Sequence, residues 1–297
     1  MEWKRKTKFG CAVLWVGAFG LAAFAPKPAQ AQNSIFDYLT QALSKVVAQA
    51  TIMNLASYDY VSGNSLFGVY LSKGGSQGLN MHFEQGVSYV ILGAGDNDIL
   101  DLDLSLLSPS GTELLKDADE DATPILQFTP TYSGKRTVRI TNYNSYRDGF
   151  CVMVILRQSN TGNFSLYQIA EALNNVIANS RVTSLFSSRF ADGTFCLFGG
   201  RLSEGEDTYL YNTQPSSGEY ALLAAGSNNV SDVDLTVIRQ NGKDYTYGNE
   251  IAKDTASDNT PICSFTVHSG GYYLMKHKNY ASYVNTPGFV FSVLLEM

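Results

Sequence analysis

The chain has 297 residues, of which 44% are hydrophobic and 12% aromatic, and its formal net charge is −6. This acidic balance excludes nucleic acid as an expected partner, because phosphates are bound largely through Lys and Arg. The length allows two domains of ordinary size, each with its own hydrophobic core.

The first 31 residues have the pattern of a cleaved export signal. Basic residues between positions 4 and 8 precede the apolar run CAVLWVGAFGLAAFA, and Ala29-Gln30-Ala31 forms a small-x-small cleavage site. The run of about fifteen residues is shorter than the roughly 20 that a spanning helix needs. We expect a signal peptide at 1–31 and a protein that is secreted or periplasmic and does not span the membrane. Its removal leaves 16 basic against 26 acidic residues, a net charge of about −10.

The remainder contains an internal repeat. DYLTQALSKVVAQA recurs as YQIAEALNNVIANS, and ILGAGDNDILDLDL recurs as LLAAGSNNVSDVDL, at offsets of 130 and 131 residues. The segments 123–146 and 260–283 match without a gap at an offset of 137. An ordered series of this kind is typical of a duplicated structural unit. We expect the first unit at 32–160 and the second at 161–297.

Each unit opens with a predicted helix, at about 37–50 and 167–180. Apolar residues recur there at the three-to-four spacing of one helix face, and Ser34 is a suitable N-cap for the first helix. Such a face must be covered. We expect it to pack on the adjoining sheet or on the other helix, with a membrane-surface or partner-docking helix as the alternative.

After each helix the apolar period changes from 3.6 to 2. Short β-rich runs such as SYVILGAG, LDLDLSLL and FCVMVILR are separated by Gly, Pro, Asn and Asp. Ser108-Pro109-Ser110-Gly111 and Asn241-Gly242 are typical turn sequences. These patterns predict an all-β fold of two tandem antiparallel β-sandwich modules, jelly-roll-like, each preceded by one amphipathic helix.

The strand motifs resemble those of the bacterial pre-peptidase C-terminal domain family. The matching residues are Asp101-Leu102-Asp103-Leu104 with SPSG, Asp232-Val233-Asp234-Leu235 with QNG, and the turns Ser133-Gly134 and Ser269-Gly270-Gly271-Tyr272. DLSLLSPSGTELL is also similar to the P/Homo B β-sandwich of proprotein convertases. The resemblance covers roughly residues 58 to 157 and 188 to 296. It implies non-catalytic modules that accompany secreted enzymes or lie on cell surfaces, here without a catalytic domain beside them.

The sequence contains no recognisable catalytic motif. His82, His268 and His277 are scattered, neither His268 nor His277 recurs in the other copy, and no metalloprotease, nucleophile-elbow or phosphate-loop pattern occurs. We therefore expect the histidines at the surface or at strand ends, and no enzymatic activity. Cys151, Cys196 and Cys263 allow one disulfide at most, and Cys263 is expected to be a buried thiol.

The repeated acids suggest two interpretations. Calcium takes about six to eight oxygen ligands in loose geometry, so each Asp-x-Asp pair with a loop acid is a candidate site. The candidate metal ligands are Asp101, Asp103, Asp121, Asp232, Asp234 and Asp258. Alternatively, the carboxylates pair with the repeated basic residues Arg139 and Lys276, or accept loop amide hydrogens. The acids at 117–120 are expected to be a solvated loop of the first copy.

The other repeated feature is Asn-Tyr-x-Ser-Tyr, expected in the connection before the last strand of each copy. Tyrosines on a loop offer an apolar ring and a hydroxyl, which suits sugar rings and protein surfaces. The candidate ligand-binding residues are Tyr143, Tyr146, Tyr280 and Tyr283. A packed tyrosine that ties the loop to the sandwich is the alternative.

These observations predict a secreted, non-catalytic binding or adhesion protein that binds extracellular carbohydrate or a protein partner. No cofactor is required, and Ca²⁺ is the one candidate ion. A calcium-stabilised structural component of the cell envelope is the alternative, and an accessory factor or unrecognised hydrolase ranks below both.

Overall fold

A computed structural model describes residues 35–159, 165–183, 185–244, 246–268, 270–284 and 286–297 of the chain. The predicted signal peptide, the predicted N-cap Ser34, and residues 160–164 around the predicted boundary lie outside the described residues. The described residues form one compact unit. Among the helices described, none combines the length and the apolar character that crossing a membrane requires.

The predicted all-β class is confirmed, since antiparallel strands make up most of the described chain. The first half contains α1 (Ile35–Leu55), β1 (Tyr58–Tyr60), β2 (Gly63–Leu71), β3 (Ser76–Phe83), β4 (Tyr89–Gly95), β5 (Ile99–Leu107), β6 (Glu113–Asp117), β7 (Ile125–Phe128), β8 (Gly134–Ser145) and β9 (Gly149–Gln158).

The second half repeats this order of elements. It contains α2 (Leu166–Val182), a 3-10 turn (Leu185–Ser187), β10 (Arg189–Phe190), β11 (Phe195–Leu202), β12 (Asp207–Thr213), β13 (Gly218–Gly226), β14 (Val230–Gln240), β15 (Gly248–Asp254), β16 (Ile262–Val267), β17 (Tyr273–Ser282) and β18 (Gly288–Glu296).

The strands form three sheets, a large one in which equivalent strands of the two halves follow in opposite order from the centre, and two small ones that have the same order in each half. The large sheet runs β16-β13-β18-β11-β2-β9-β4-β7, with β1 and β10 added on β9 and β18, and the small sheets run β12-β17-β14-β15 and β3-β8-β5-β6. The two halves meet where β2 pairs with β11, so they share one ten-stranded sheet. The division of the chain into two modules near residue 160 stays a prediction.

The inner strands of the large sheet are covered on both faces, which explains their continuous apolar sequences. Every residue of β4 and nearly every residue of β9 is buried, as in the run Tyr89–Gly95. The helices pack on this sheet, α1 against β4 and β9 and α2 against β13 and β18. The small sheets contribute the second layer, as shown by the His277 ring stacked 4.9 Å from the Phe198 ring.

Polar side chains one turn apart fix each helix to the ends of the strands below it. Lys45 Nζ donates to the carbonyls of Gly95 and Asp96 at 2.8 and 3.0 Å. The corresponding Asn175 Nδ2 in α2 donates to the carbonyl of Gly226 at 2.9 Å. Gln49 and Asn179, one turn further on, donate to the carbonyls of Thr123 and Thr260. These polar side chains of α1 and α2 are therefore hydrogen-bonded within the chain.

The buried polar residues include one that contradicts the sequence analysis. His277 was expected at the surface or at a strand end, but its side chain is fully buried. Its Nδ1 lies 2.7 Å from Ser292 Oγ, and desolvation lowers the pKa of the imidazole to about 3. The expectation was wrong because His277 lies on the same face of β17 as the buried Met275 and Asn279. His268 is exposed.

All three described cysteines are free and buried, including Cys263 as predicted. Burial raises the pKa of the Cys196 and Cys263 thiols to about 12. Thiols with so little thiolate at neutral pH are poor nucleophiles.

Candidate functional site

The Asn-Tyr-x-Ser-Tyr motifs lie at the ends of β8 and β17, where the asparagine and serine have a structural role. Asn142 is fully buried, and its Nδ2 donates to the Leu71 carbonyl at 3.1 Å and to Ser145 Oγ at 3.0 Å. Asn279 Nδ2 makes the equivalent bonds to the Leu202 carbonyl and to Ser282 Oγ, both at 3.0 Å. Each motif is therefore anchored to the end of the neighbouring strand of the large sheet.

A β-bulge places the first tyrosine of each motif. Asp101 pairs with Asn144 and Leu102 pairs with Asn142, so Tyr143 is an extra residue without a partner in the register. The second half has the same irregularity, which leaves Tyr280 without a register partner. A bulge bends the strand and redirects a side chain. The motif was expected in a connection, but the strands continue to Ser145 and Ser282, which is a correction.

All four predicted tyrosines are at the surface. The exposed fractions are 62% for Tyr143, 77% for Tyr146, 54% for Tyr280 and 75% for Tyr283. Lys278 Nζ lies 4.7 Å from the centre of the Tyr280 ring, a cation–π distance. The structure therefore presents two equivalent tyrosine pairs, which we call the tyrosine surfaces: Tyr143 with Tyr146, and Tyr280 with Tyr283.

The repeated Asp-x-Asp pairs lie on β5 and β14, directly beside the bulges. Asp101 is only 8% exposed, and neither its Oδ1 nor the Oδ1 of Asp232 has a hydrogen-bond partner among the described residues. Burial raises the pKa of Asp101, with further contributions from Asp103, Glu120 and Asp121. Burial, followed by the charges of Asp234 and Asp258, raises the pKa of Asp232 in the same way. An unpaired buried carboxylate oxygen thus accompanies each bulged tyrosine.

The expected ion pairs are not the ones observed. Asp103 pairs with Lys116 on β6 at 3.0 Å, whereas Arg139 lies 3.6 Å from Glu113. Lys276 pairs with Asp207 at 2.7 Å. The register explains the difference, because Arg139 faces Ser105 and not an aspartate. The predicted pairing of Asp-x-Asp with Arg139 and Lys276 was therefore wrong, apart from weaker charge effects of Lys276 and Lys278 on the pKa of Asp234.

The loop acids Asp121 and Asp258 stabilise turns next to the Asp-x-Asp pairs. Asp121 Oδ1 accepts from the Thr123 amide at 2.7 Å, and Asp258 Oδ1 accepts from the Thr260 amide at 2.8 Å. Their backbone carbonyls accept from the amides of Leu102 and Val233. The loop acid of each copy therefore lies beside its strand pair, as the sequence analysis expected.

One further acid has a repeated role that the sequence analysis missed. Asp117 Oδ2 accepts from the Ile125 amide at 2.8 Å, and Asp254 Oδ2 accepts from the Ile262 amide at 2.9 Å. The expectation that Asp117 belongs to a solvated loop was wrong, because it joins β6 to β7 through this bond. The offset of 137 between Asp117 and Asp254 was the signal that could have revealed it.

In each copy, therefore, three acids lie near one another. Across the residues that the structure describes, no group of three or more His, Cys, Asp or Glu side chains has a geometry suited to a metal ion. One oxygen of Asp121 and one of Asp258 already accept turn amides, which leaves the other oxygen of each for a cation. Calcium binding by these six residues stays a prediction.

Comparisons with known proteins do not assign the chain to a family. No family model and no curated protein matches the sequence. A solved structure of the M60 catalytic domain with the CBM51-1 and CBM51-2 domains of Clostridium perfringens ZmpB matches 80% of this chain and 37% of its own, with 7% identity and a TM-score of 0.25. This chain thus spans about a third of that protein.

Two other solved structures have comparable likeness. The PBSX exported protein XepA matches 80% of this chain and 86% of its own, with 8% identity and a TM-score of 0.25. The secreted serine protease VesC of Vibrio cholerae matches 79% of this chain and 51% of its own, with 11% identity and a TM-score of 0.24. At such scores these likenesses carry no argument about what the chain does.

Proposed function

We propose that this chain is an exported, non-catalytic binding or adhesion protein whose two tyrosine surfaces contact extracellular carbohydrate or a protein partner. The observation that carries the proposal is the repeated bulge, which holds Tyr143 and Tyr280 outward while the adjacent asparagine is buried. Export is proposed on the basis of the basic and apolar pattern of residues 1–31. The resemblance to pre-peptidase C-terminal modules agrees with this role.

Tyrosines whose only role was to pack against the sandwich would not require a bulge and a buried asparagine that hold them outward. Each tyrosine surface combines two rings that are more than half exposed with strand ends held by buried side-chain bonds. A rigid aromatic contact loses little conformational entropy on binding, which is why Tyr is common at binding surfaces. The buried groups thus preorganise the surface for a partner.

The two surfaces belong to one compact unit, so a polymeric or repeating partner long enough to reach both can be held at both. When two sites act on the same partner, the second contact becomes intramolecular, and the apparent affinity rises by roughly 10²–10⁴ without any new type of contact. Envelope polysaccharide and repetitive surface protein both have this property. Binding at one surface alone is expected to be weak.

The proposal is tested by capture from native extracts. The variant Y143A/Y146A/Y280A/Y283A is compared with the wild type for binding to envelope polysaccharide and to envelope protein extracts, analysed as separate fractions. Y167A/Y247A, which removes two exposed tyrosines elsewhere, is the control. We expect the quadruple variant to lose capture and the control to keep it. Unaltered capture by the quadruple variant would remove the tyrosine surfaces as the site.

A calcium-stabilised structural component of the envelope is the second candidate. The observation that favours it is the unpaired buried Oδ1 of Asp101 and of Asp232, each with two further acids nearby. A cation would relieve the mutual repulsion of these carboxylates. Thermal unfolding with calcium and with chelator tests this candidate, because an unchanged midpoint contradicts it.

A further inference from the structure

A cavity of about 240 Å³ lies where the two halves meet. It is bordered by β3 and β12, the end strands of the two small sheets, and by parts of β2 and β11. It shares no residue with the tyrosine surfaces. We propose that this junction cavity is a second binding site, and that its ligand is a neutral saccharide unit.

None of the residues that line the junction cavity is Asp, Glu, Lys, Arg or His, although the chain as a whole is acidic. The polar lining consists of amides and hydroxyls, among them Asn64, Asn80, Thr208 and Thr213. Neutral donors and acceptors match the hydroxyls of an uncharged sugar, and the charges next to the lining are already engaged, Lys276 by Asp207 and Asp244 by Asn212.

Two of the residues that line the cavity each have a buried polar atom without a hydrogen-bond partner in the described structure. Asn64 is 5% exposed and Thr213 is 3% exposed, yet Asn64 Oδ1 and Thr213 Oγ1 have no hydrogen-bond partner. The other end of the Asn64 amide is fixed, since Nδ2 donates to the Tyr209 carbonyl at 3.0 Å. Both residues line the cavity, and leaving such groups unpaired costs stability, so a ligand that reaches them would be a polar one.

One wall of the junction cavity contains two tyrosines. Tyr209 and Tyr211 are stacked, with ring centres 5.5 Å apart and planes 26° apart, and Tyr211 is 42% exposed. Their equivalents in the first half, at the offset of 131, are Gly78 and Asn80. The symmetry of the two halves is therefore broken at the junction, with rings on one wall and glycine and amide on the other. An amphipathic ring beside polar groups suits the apolar face of a sugar.

An extended peptide added to the edge strands fits less well. Asn212 lies in the left-handed region with φ of 58°, and the register of β12 with β17 is interrupted between Leu210 and Thr213. Bulges of this type blunt a sheet edge against further pairing. The Tyr209 carbonyl is also already occupied by Asn64. The cavity is smaller than the roughly 300–1,000 Å³ of drug-sized pockets. This size favours a single sugar ring over an extended peptide as the ligand.

The test uses the full chain with defined probes. Glucose, galactose, mannose and N-acetylglucosamine are titrated by calorimetry, with backbone amide shifts of residues 62–64 and 209–213 followed by NMR. We expect at least one of these sugars to bind and to shift these amides. T213V and Y211A are expected to weaken that binding about tenfold or more, whereas Y167A, at an exposed tyrosine outside the cavity and the tyrosine surfaces, leaves it unchanged.

The variants separate binding from folding. T213V removes an unpaired buried hydroxyl, so its thermal midpoint without sugar stays at or above that of the wild type while sugar binding falls. The proposal is overturned if none of the four sugars shifts the cavity amides, or if T213V and Y211A bind as the wild type does. It is also overturned if glucuronate binds as well as glucose, or if a neutral Ser/Asn peptide shifts these amides and the sugars do not. Because the tyrosine surfaces are intact in T213V and Y211A, failure here is distinguishable from failure of the proposed function.

Discussion

Phe67 and Phe198 face each other across the β2–β11 pair and occupy equivalent positions in the two halves of the chain. Both side chains are buried. An equivalent pair of residues in antiparallel register marks an approximate two-fold axis between the halves. The same relation accounts for the palindromic strand order of the large sheet. The duplicated chain thus forms a single sheet in the way that an isologous dimer does.

A shared sheet predicts that the halves unfold together. F198A removes a ring at the junction and is expected to lower the free energy of unfolding by about 3–5 kcal/mol. Urea unfolding, followed by near-ultraviolet circular dichroism and by tyrosine fluorescence, is expected to show one transition in both proteins, with a lower midpoint for the variant. Two transitions, of which F198A lowers only one, would show that the halves are independent.

Buried His277 predicts a loss of stability in mild acid. Its pKa is lowered from 6.5 to about 3 by desolvation, so the folded state holds it neutral while the unfolded state takes up a proton. The contribution of the neutral His277 to the free energy of unfolding is fully present above about pH 6.5, and it falls by about 1.4 kcal/mol per pH unit as the pH is lowered towards 3. Between about pH 7 and pH 5, this residue alone is expected to contribute a loss of about 2 kcal/mol.

A matched variant isolates the histidine. At the equivalent positions the first half has Ile140 for His277 and Met153 for Ser292. H277I/S292M therefore restores an apolar pair that this fold already contains. The free energies of unfolding from urea titrations at about pH 7 and pH 5 are expected to differ by about 2 kcal/mol less in the variant than in the wild type. An equal acid loss in both proteins would show that other groups cause it.

Replacing the acids beside the bulges is expected to change thermal stability in opposite directions for the binding candidate and for the calcium candidate. Burial raises the pKa of Asp101 and Asp232, so their contribution to stability is present below about pH 4 and is lost as the pH rises through the folded-state value. Without a cation, D101N/D232N is expected to raise the thermal midpoint at neutral pH. If calcium is bound, the wild type gains stability with calcium and the variant does not. D148N, at an exposed aspartate, is the control, for which little change is expected.

Buried Asn279 is expected to position one tyrosine surface. N279A removes the donors to the Leu202 carbonyl and to Ser282 Oγ, at a cost of about 1–3 kcal/mol in unfolding free energy. At a temperature where the variant remains folded, partner binding through Tyr280 and Tyr283 is expected to weaken. S282A, which loses one of these bonds, is expected to lie between the variant and the wild type. Normal binding by folded N279A would show that the tyrosines need no such support.

The strands and the exposed tyrosines could be predicted from the sequence, because recurring residues at fixed offsets identify equivalent positions in the two copies. The joining of β2 to β11 was not predicted, since an apolar strand does not reveal its neighbour in a sheet. The repeated Leu-Phe-Gly at 66–68 and 197–199 was the available hint. The partner of Asp103 was mispredicted because pairing depends on register, and the bulge at Tyr143 depends on it too. Ser292 as the partner of His277 comes from another strand, which local patterns do not specify.

The most direct test of the binding role measures the two tyrosine surfaces separately. Equilibrium binding to the captured polysaccharide or protein is compared for the wild type, Y143A/Y146A, Y280A/Y283A and the quadruple variant. We expect each half variant to keep weak binding, with an apparent affinity lower by about 10²-fold or more, and the quadruple variant to lose binding. Binding by the quadruple variant equal to that of the wild type would contradict the proposed function.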